Sequence, residues 1–498
     1  MLKNPLYFER YPTDVFSLKT SLLFQAQNTA LSSMFLLAWQ ILYTKDFILL
    51  PFFLVIWMSM FYYYRNRKYS NTLIKKYFLP ALGLRFLGAL LTAFMYQYYY
   101  GYGDTFFYFF GSRDIYNALL NNPETAFELI FLEHRDWSVN SYNSVTLHGF
   151  FANSKEAMVI RLAGIVSPLG LGTYIGTSFA LTVFSFLGCW ALYRVFYDLK
   201  PDLHWPLALA ILFLPSMWFW STGIMKDSIV IGALGFFVNG IYYSLIRKEK
   251  KILRSIVFIL LGAYLMKNIK IYVLVAIFPA TVVWVFFMIK ERIKNDTLRK
   301  LATPIFFGIG ALGGVVVIQQ LGSVFSEYTL EGFLEEAAKV QWWLKLSTER
   351  DNGTGYDLGV LEPSLGGLIA AFPKAVNVAL FRPYPWEATK IIVLPSAAEA
   401  LFTLGLTIYV FFKVGLLRTL KAIFNDPVVL FCLIFAIIFA FAVGFTSFNF
   451  GALARYKIPC LPFYYVAMIL LLDKVRKPQK SLPPASTTRT KQVPPIPI

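Results

Sequence analysis

Apolar runs of about twenty residues, separated by short clusters of lysine and arginine, constrain this chain more than any other feature. Examples lie at 47–64, 78–95, 229–246, 394–412 and 428–445. Each is long enough for a helix to cross the hydrocarbon of a bilayer, where backbone N–H and C=O groups must be satisfied within the segment. Of the 498 residues, 57% are hydrophobic and only 15% are charged, whereas a soluble domain carries roughly a quarter charged residues. The expected fold class is therefore all-α, a polytopic membrane protein with about twelve transmembrane helices.

The basic clusters set the expected sidedness. Arg65-Asn-Arg-Lys68, Arg247-Lys-Glu-Lys-Lys251 and Lys290-Glu-Arg-Ile-Lys294 fall between apolar runs, as cytoplasmic loops do under the positive-inside rule. Residues 1–28 are then a cytoplasmic N-terminal segment without a cleavable signal pattern, and 29–473 form the transmembrane domain. Predicted spans lie at 29–44, 46–64, 78–99, 170–197, 204–221, 226–247, 252–266, 271–289, 301–320, 391–412, 427–446 and 456–473. Residues 158–168 read as a short interfacial helix. Two long outer loops occupy about 101–155 and 321–388. The tail, 474–498, rich in Pro, Ser and Thr, reads as a disordered cytoplasmic extension. Both termini are cytoplasmic in this scheme, and no internal repeat is evident.

The net charge of +18 belongs to these interhelical clusters, which face anionic headgroups; it does not indicate nucleic acid. Cys189, Cys432 and Cys460 lie in or beside apolar runs and lack ligand spacing, so they read as small core residues. His134 and His148 share a predicted outer loop without a Glu-x-x-His pattern, and no metal site is read from them. No nucleotide or dinucleotide fingerprint appears in a usable context, and no cofactor is expected.

One stretch combines an apolar run with chemistry: Tyr96-Gln-Tyr-Tyr-Tyr-Gly-Tyr-Gly-Asp104-Thr-Phe-Phe-Tyr108. Asp104 is the first acid after the predicted third span, at its outer end. A carboxylate at such a boundary is solvated, paired or used. It reads either as a helix N-cap or as a group that serves chemistry. The same scheme brings Lys226, Asp227, Lys267, Lys270, Arg382, Glu387 and Arg455 to outer helix ends. Each has an ordinary alternative. Lys226, Lys267 and Lys270 read either as snorkelling cations or as a phosphate seat. Arg382 and Glu387, in Phe381-Arg-Pro-Tyr-Pro-Trp-Glu387, read either as a rigid structural turn or as directed site groups. Arg455 and Lys457 read either as interface anchors or as part of a site. The Pro, Ser and Gly residues around Phe219-Trp-Ser-Thr-Gly-Ile-Met-Lys-Asp227 suggest a broken, close-packed helix join.

Three features together resemble the GT-C superfamily of integral-membrane glycosyltransferases, the protein mannosyltransferase-like and bacterial lipid-linked sugar transferases. They are Gly103-Asp104 with Tyr108 in an early outer loop, the long outer loops, and Ala454-Arg-Tyr-Lys-Ile-Pro-Cys-Leu-Pro-Phe463 at the last span. Asp104 follows the third predicted span rather than the first, and no second acid stands beside it in sequence. The resemblance implies an enzyme of the cytoplasmic membrane that moves a sugar from a polyprenyl-phosphate donor to a glycan, lipid or protein acceptor on the outer face. Asp104 would be the base or acceptor positioner. Tyr108, Lys226, Asp227, Lys267, Lys270, Arg382, Glu387, Arg455 and Tyr456 would bind substrate. A polymerase or ligase of polysaccharide repeat units and a twelve-helix transporter or flippase are the alternative readings.

Overall fold

The computed structural model describes residues 40–249, 252–290, 292–306, 308, 346, 354–358 and 365–476. The N-terminal segment, most of the predicted spans at 29–44 and 301–320, much of the second loop and nearly all of the tail lie outside the described residues. Within them the chain is helical, with a single isolated β-bridge between Gly355 and Asn449. Seven helices are long and apolar enough to cross a membrane, or eight if a bent pair at the C-terminal end counts as one span.

The first is α1 (Thr44–Lys68), whose surface is mostly exposed, as suits a lipid-facing helix. Next comes α2 (Lys75–Tyr100), whose last turn, Met95–Tyr100, widens into a π-helix. The predicted polar loop that follows is itself largely helical. It contains α3 (Asp104–Asn121), α4 (Pro123–Phe131), α5 (Val139–Asn143) and α6 (His148–Ala152). The reason is local: Asn122 accepts from the Thr125 N–H to cap α4, Pro123 occupies its first position, and Ser138 caps α5. The expected interfacial helix at 158–168 is α7 (Ser154–Val166). It packs along α3 through glycines: a Cβ on Gly111 would stand 2.8 Å from Ile160, and one on Gly164 2.7 Å from Ile115.

The central pair is α8 (Tyr174–Leu199) and α11 (Lys226–Ile241, continued as a π-turn to Ile246). Both are almost wholly buried. Gly188, Gly232 and Gly235 let their backbones touch; a Cβ on Gly235 would meet the Gly188 carbonyl oxygen at 1.9 Å. Lipid gives packed helices no hydrophobic advantage, so such close contact is what holds them together. Between α8 and α11 the expected continuous span at 204–221 is broken into α9 (His204–Ile211) and α10 (Pro215–Trp220). Pro215 cannot donate to the turn before it, which stops α9 from continuing. Arg85 of α2, fully buried, donates to the hydroxyls of Ser185 and Ser221 and to the Cys189 thiol, and so fastens this break to α2 and α8.

The two spans expected at 252–266 and 271–289 form α12 (Ile252–Lys290), with non-helical φ/ψ at Lys270. Straight, its 39 residues would reach about 58 Å. Instead, the Ser255 carbonyl lies against Gly240, Trp284 stacks on Tyr242 at 6.1 Å, and Arg292 donates to the Ile246 carbonyl. Both ends thus lie beside the same end of α11, and the chain turns back at Lys270.

The second predicted loop, 321–388, contains an apolar helix, α13 (Leu365–Phe381), wedged against α16 (Pro427–Thr446) where Gly444 meets the Ala375 carbonyl. Then come α14 (Leu394–Val414) and the amphipathic α15 (Leu416–Asn425). The expected last span at 456–473 is α18 (Leu461–Arg476), which is bent by 67° from a short preceding helix, α17 (Phe450–Tyr456). Asn449 caps α17 and Pro459 falls in the bend, so α18 begins later than its apolar pattern suggests.

Candidate functional site

Four chain turns meet at one end of this bundle: the α2–α3 join, the start of α11, the reversal in α12 and the bend after α17. At the centre is Asp227, in the first turn of α11, with its side chain 1% exposed. One carboxylate oxygen accepts from Lys270 Nζ at 2.5 Å, and the other accepts from Arg455 Nε at 2.6 Å. The non-helical φ/ψ of Lys270 marks the place where α12 reverses, which carries its ammonium over the start of α11. Arg455, in the last turn of α17, is a cation where the helix dipole favours one. Its side chain is 12% exposed.

With Nε fixed on Asp227, the Arg455 guanidinium points its other nitrogens toward the α2–α3 join. One lies 3.4 Å from the Tyr96 hydroxyl and one 3.6 Å from Asp104 Oδ2. Asp104 is 52% exposed, the accessible rim of the group. It is the first helical residue of α3; Gly103 holds the N-cap position and Asp104 makes no capping bond. The join needs its glycines. Gly101 has φ +70° and Gly103 φ +148°, and a Cβ on Gly103 would stand 2.5 Å from the Tyr96 ring. The π-turn and this loop together aim Tyr96 and Asp104 at Arg455. Tyr456 lies beneath Lys270, its ring centroid 4.8 Å from Nζ.

A second group adjoins the first. Tyr108, one turn after Asp104, donates its hydroxyl to Glu156 of α7, and Lys226 Nζ reaches Glu156 Oε1 at 2.5 Å. Burial, and after it the charges of Asp104 and Glu156, push the Tyr108 phenol up. It therefore stays protonated and donates. No acid stands beside Asp104 in sequence, yet Glu156 arrives from 52 residues downstream on the partner helix of α3. The one signal for it is its place in the first turn of a capped helix, after Asn153.

Not every expected residue joins this cluster. Lys267 is exposed. Arg382 and Glu387 pair with each other through two charge-assisted contacts, and Glu387 also accepts from the Tyr384 N–H at 2.8 Å. Buried Lys457 donates to the Arg382 carbonyl at 3.1 Å. This turn rests on Phe450, whose ring centroid lies 5.3 Å from the Arg382 guanidinium carbon, and so supports the start of α17. His134 and His148 approach to 3.3 Å in the α4–α6 region. Among the described residues no group of three His, Cys, Asp or Glu side chains is placed to hold a metal ion.

The opposite end of the bundle differs in kind. There Arg194, Arg247 and Arg254 surround the Tyr243 ring at 5.6, 6.0 and 5.7 Å, with Asp198 and Glu249 as counter-ions. Ordinary basic clusters thus collect at one end, and the buried acid with its two fixed cations at the other. Comparison with protein-family models, with curated proteins and with solved structures finds no match to this chain.

What the site can do follows from its charges. Asp104, Asp227 and Glu156 balance Lys270, Arg455 and Lys226 formally. The balance is uneven in space: Asp227 is sealed in and Arg455 largely buried, whereas Asp104 is half exposed. An accessible carboxylate and an oriented guanidinium, 3.6 Å apart, can take up a proton and an anionic group side by side.

Proposed function

We propose that this protein is an integral-membrane glycosyltransferase, GT-C-like in architecture with about twelve spans, that moves a sugar from a polyprenyl-phosphate donor to a glycan, lipid or protein acceptor. In this reading it lies in the cytoplasmic membrane with both termini cytoplasmic and its site on the outer face. The observation that supports it best is the Asp104–Arg455 pair, in which Asp104 is half open to solvent and the largely buried Arg455 is backed by Asp227.

The reaction needs a base for the attacking hydroxyl and a cation for the departing phosphate. Asp104 accepts the hydroxyl proton. As the bond from sugar to phosphate oxygen breaks, negative charge grows on the phosphate. Arg455 stabilises it through the nitrogens that Asp227 leaves available, with Lys270 behind. Asp227 fixes both cations, so they need not reorganise as the charge develops. The donor phosphate competes with Asp104 for Arg455, so donor binding frees the carboxylate for its role as base. Buried Tyr96 holds the Arg455 guanidinium in register through its hydroxyl.

The test uses purified protein and a polyprenyl-phosphate sugar. Asp104→Asn abolishes transfer while donor binding and folding persist; full activity in that variant sinks the base role. Offering a polyprenyl-pyrophosphate oligosaccharide in parallel separates this reading from a repeat-unit polymerase, which would turn over only the second donor.

A further inference from the structure

The helical region between the α2–α3 join and α7 contains an open cleft of about 370 Å³, its walls mixing apolar surface with amide side chains, that the site above does not use. That volume lies within the range of small-molecule sites, roughly 300–1,000 Å³. Its walls are the C-terminal half of α3, the start of α4 and α5, and it is lined by Asp114, Asn117, Asn121, Asn122, Asn140 and Asn143. Two of the amides have structural work: Asn121 Nδ2 donates to the Asn117 carbonyl at 2.9 Å, and Asn122 caps α4. Asp114 is held in place by the Thr146 N–H and hydroxyl, both at 3.3 Å. The side-chain amides of Asn117, Asn140 and Asn143 make no hydrogen bond within the described residues, and all three residues are exposed. Asparagine is a poor helix former, and neither Asn117 of α3 nor Asn140 of α5 caps its helix.

The lining decides the ligand class. Among the described residues no cation lines the cleft: Arg113, the nearest in sequence to Asp114, lies over the rings of Phe109, Phe110 and Tyr43. An anion would lack a partner. One carboxylate does not make a cation site, and the walls set side-chain amides among apolar surface, as the C–H faces and hydroxyls of a sugar would need. Amides that both donate and accept match a neutral ligand dense in hydroxyl groups. We propose that this cleft binds a stretch of neutral glycan. Resting on the glycosyltransferase reading, it holds the far part of an acceptor chain whose end lies at Asp104. Asn117 and Asn121 stand about 20 and 25 Å along α3 from Asp104, which suits a chain of several sugars rather than a single residue.

The experiment measures saturable binding of maltohexaose, mannohexaose and chitohexaose to the full-length protein in nanodiscs, by saturation-transfer NMR and calorimetry, with no donor present. At least one oligosaccharide binds the wild type. Asn117→Ala/Asn143→Ala weakens that binding about tenfold or more, as two lost hydrogen bonds should, while Lys267→Ala, at an exposed residue outside both the cleft and the charge cluster, leaves it unchanged. Both asparagines are exposed, so the double variant keeps the fold, checked by its elution profile. Absence of binding by all three oligosaccharides, or equal binding by the double variant, overturns the proposal. Binding without any transfer from a polyprenyl-phosphate sugar leaves the cleft standing and sinks the transferase reading. Transfer without binding does the reverse.

Discussion

Asp227→Asn removes one charge and changes almost no volume, so its effect isolates the electrostatics of the site. In the wild type, one carboxylate serves two cations at 2.5 and 2.6 Å, and the three side chains are 1, 7 and 12% exposed. An asparagine offers one acceptor oxygen and one NH₂ donor. It can accept from Lys270 or from Arg455, not both, and its NH₂ then faces the other cation. Leaving one partner of a buried pair uncompensated costs about 3–5 kcal/mol. The lower part of that range is expected here, because Arg455 can lean toward the solvated Asp104. Adding Lys270→Met removes the orphaned cation and should recover half or more of the loss. The assay is denaturant unfolding in detergent followed by tryptophan fluorescence, on the wild type, both single variants and the double. Asp104→Asn is the control: its contact with Arg455 is 3.6 Å long and half exposed, a kind worth at most about 1 kcal/mol. If Asp227→Asn costs no more than that control, the buried carboxylate does not organise the cations, and the account of Arg455 fails with it.

Glu156→Gln should lower turnover without unfolding the protein, because Lys226 loses its counter-ion and Tyr108 its strong acceptor; a kinetic comparison with Tyr108→Phe tests whether the two substitutions act through one contact. Gly235→Ala, which forces a methyl into the Gly188 carbonyl, should destabilise the α8–α11 crossing by about 1–3 kcal/mol, read as a lower melting temperature or loss of monodisperse protein. Burial tends to raise the Glu387 carboxyl, but the hydrogen bond from Arg382, with the Tyr384 N–H, holds it below the usual glutamate value. Its stabilising contribution is therefore present above the ordinary glutamate pKa and is lost as pH falls through the depressed folded-state value. Glu387→Gln should be less stable than wild type at neutral pH, and the gap should close in acid; a gap constant with pH refutes the assignment.

The apolar runs and the basic clusters between them were enough to read an all-helical membrane protein, because the bilayer leaves a chain of this composition no other way to satisfy its backbone. Lys267-Asn-Ile-Lys270 also marked the reversal in α12. Pattern reading failed at 204–221, where Pro215 breaks a helix that hydropathy joins, and misplaced the start of the last span, which the bend at Pro459 moves from 456 to Leu461. It failed again at 365–381, where an apolar helix of 17 residues sits inside what read as a loop. Both errors have one cause: hydropathy averages over a window, and caps and prolines act at single positions.

The site divides in the same way. Asp104, Asp227, Lys270 and Arg455 were legible as ionisable groups at helix ends, and their common depth followed from counting spans. That Asp227 is the buried centre and Asp104 the exposed rim was not legible, since burial depends on which helix ends converge. Nor was Glu156, whose nearness to Asp104 depends on α7 lying along α3 through Gly111 and Gly164. By itself the sequence determined the solvent, the helical class and the residue types available for chemistry, because these follow from local composition. Only the tertiary structure decided which charges touch. Asp227 and Arg455 lie 228 residues apart, and no local rule relates residues that meet only when helices pack.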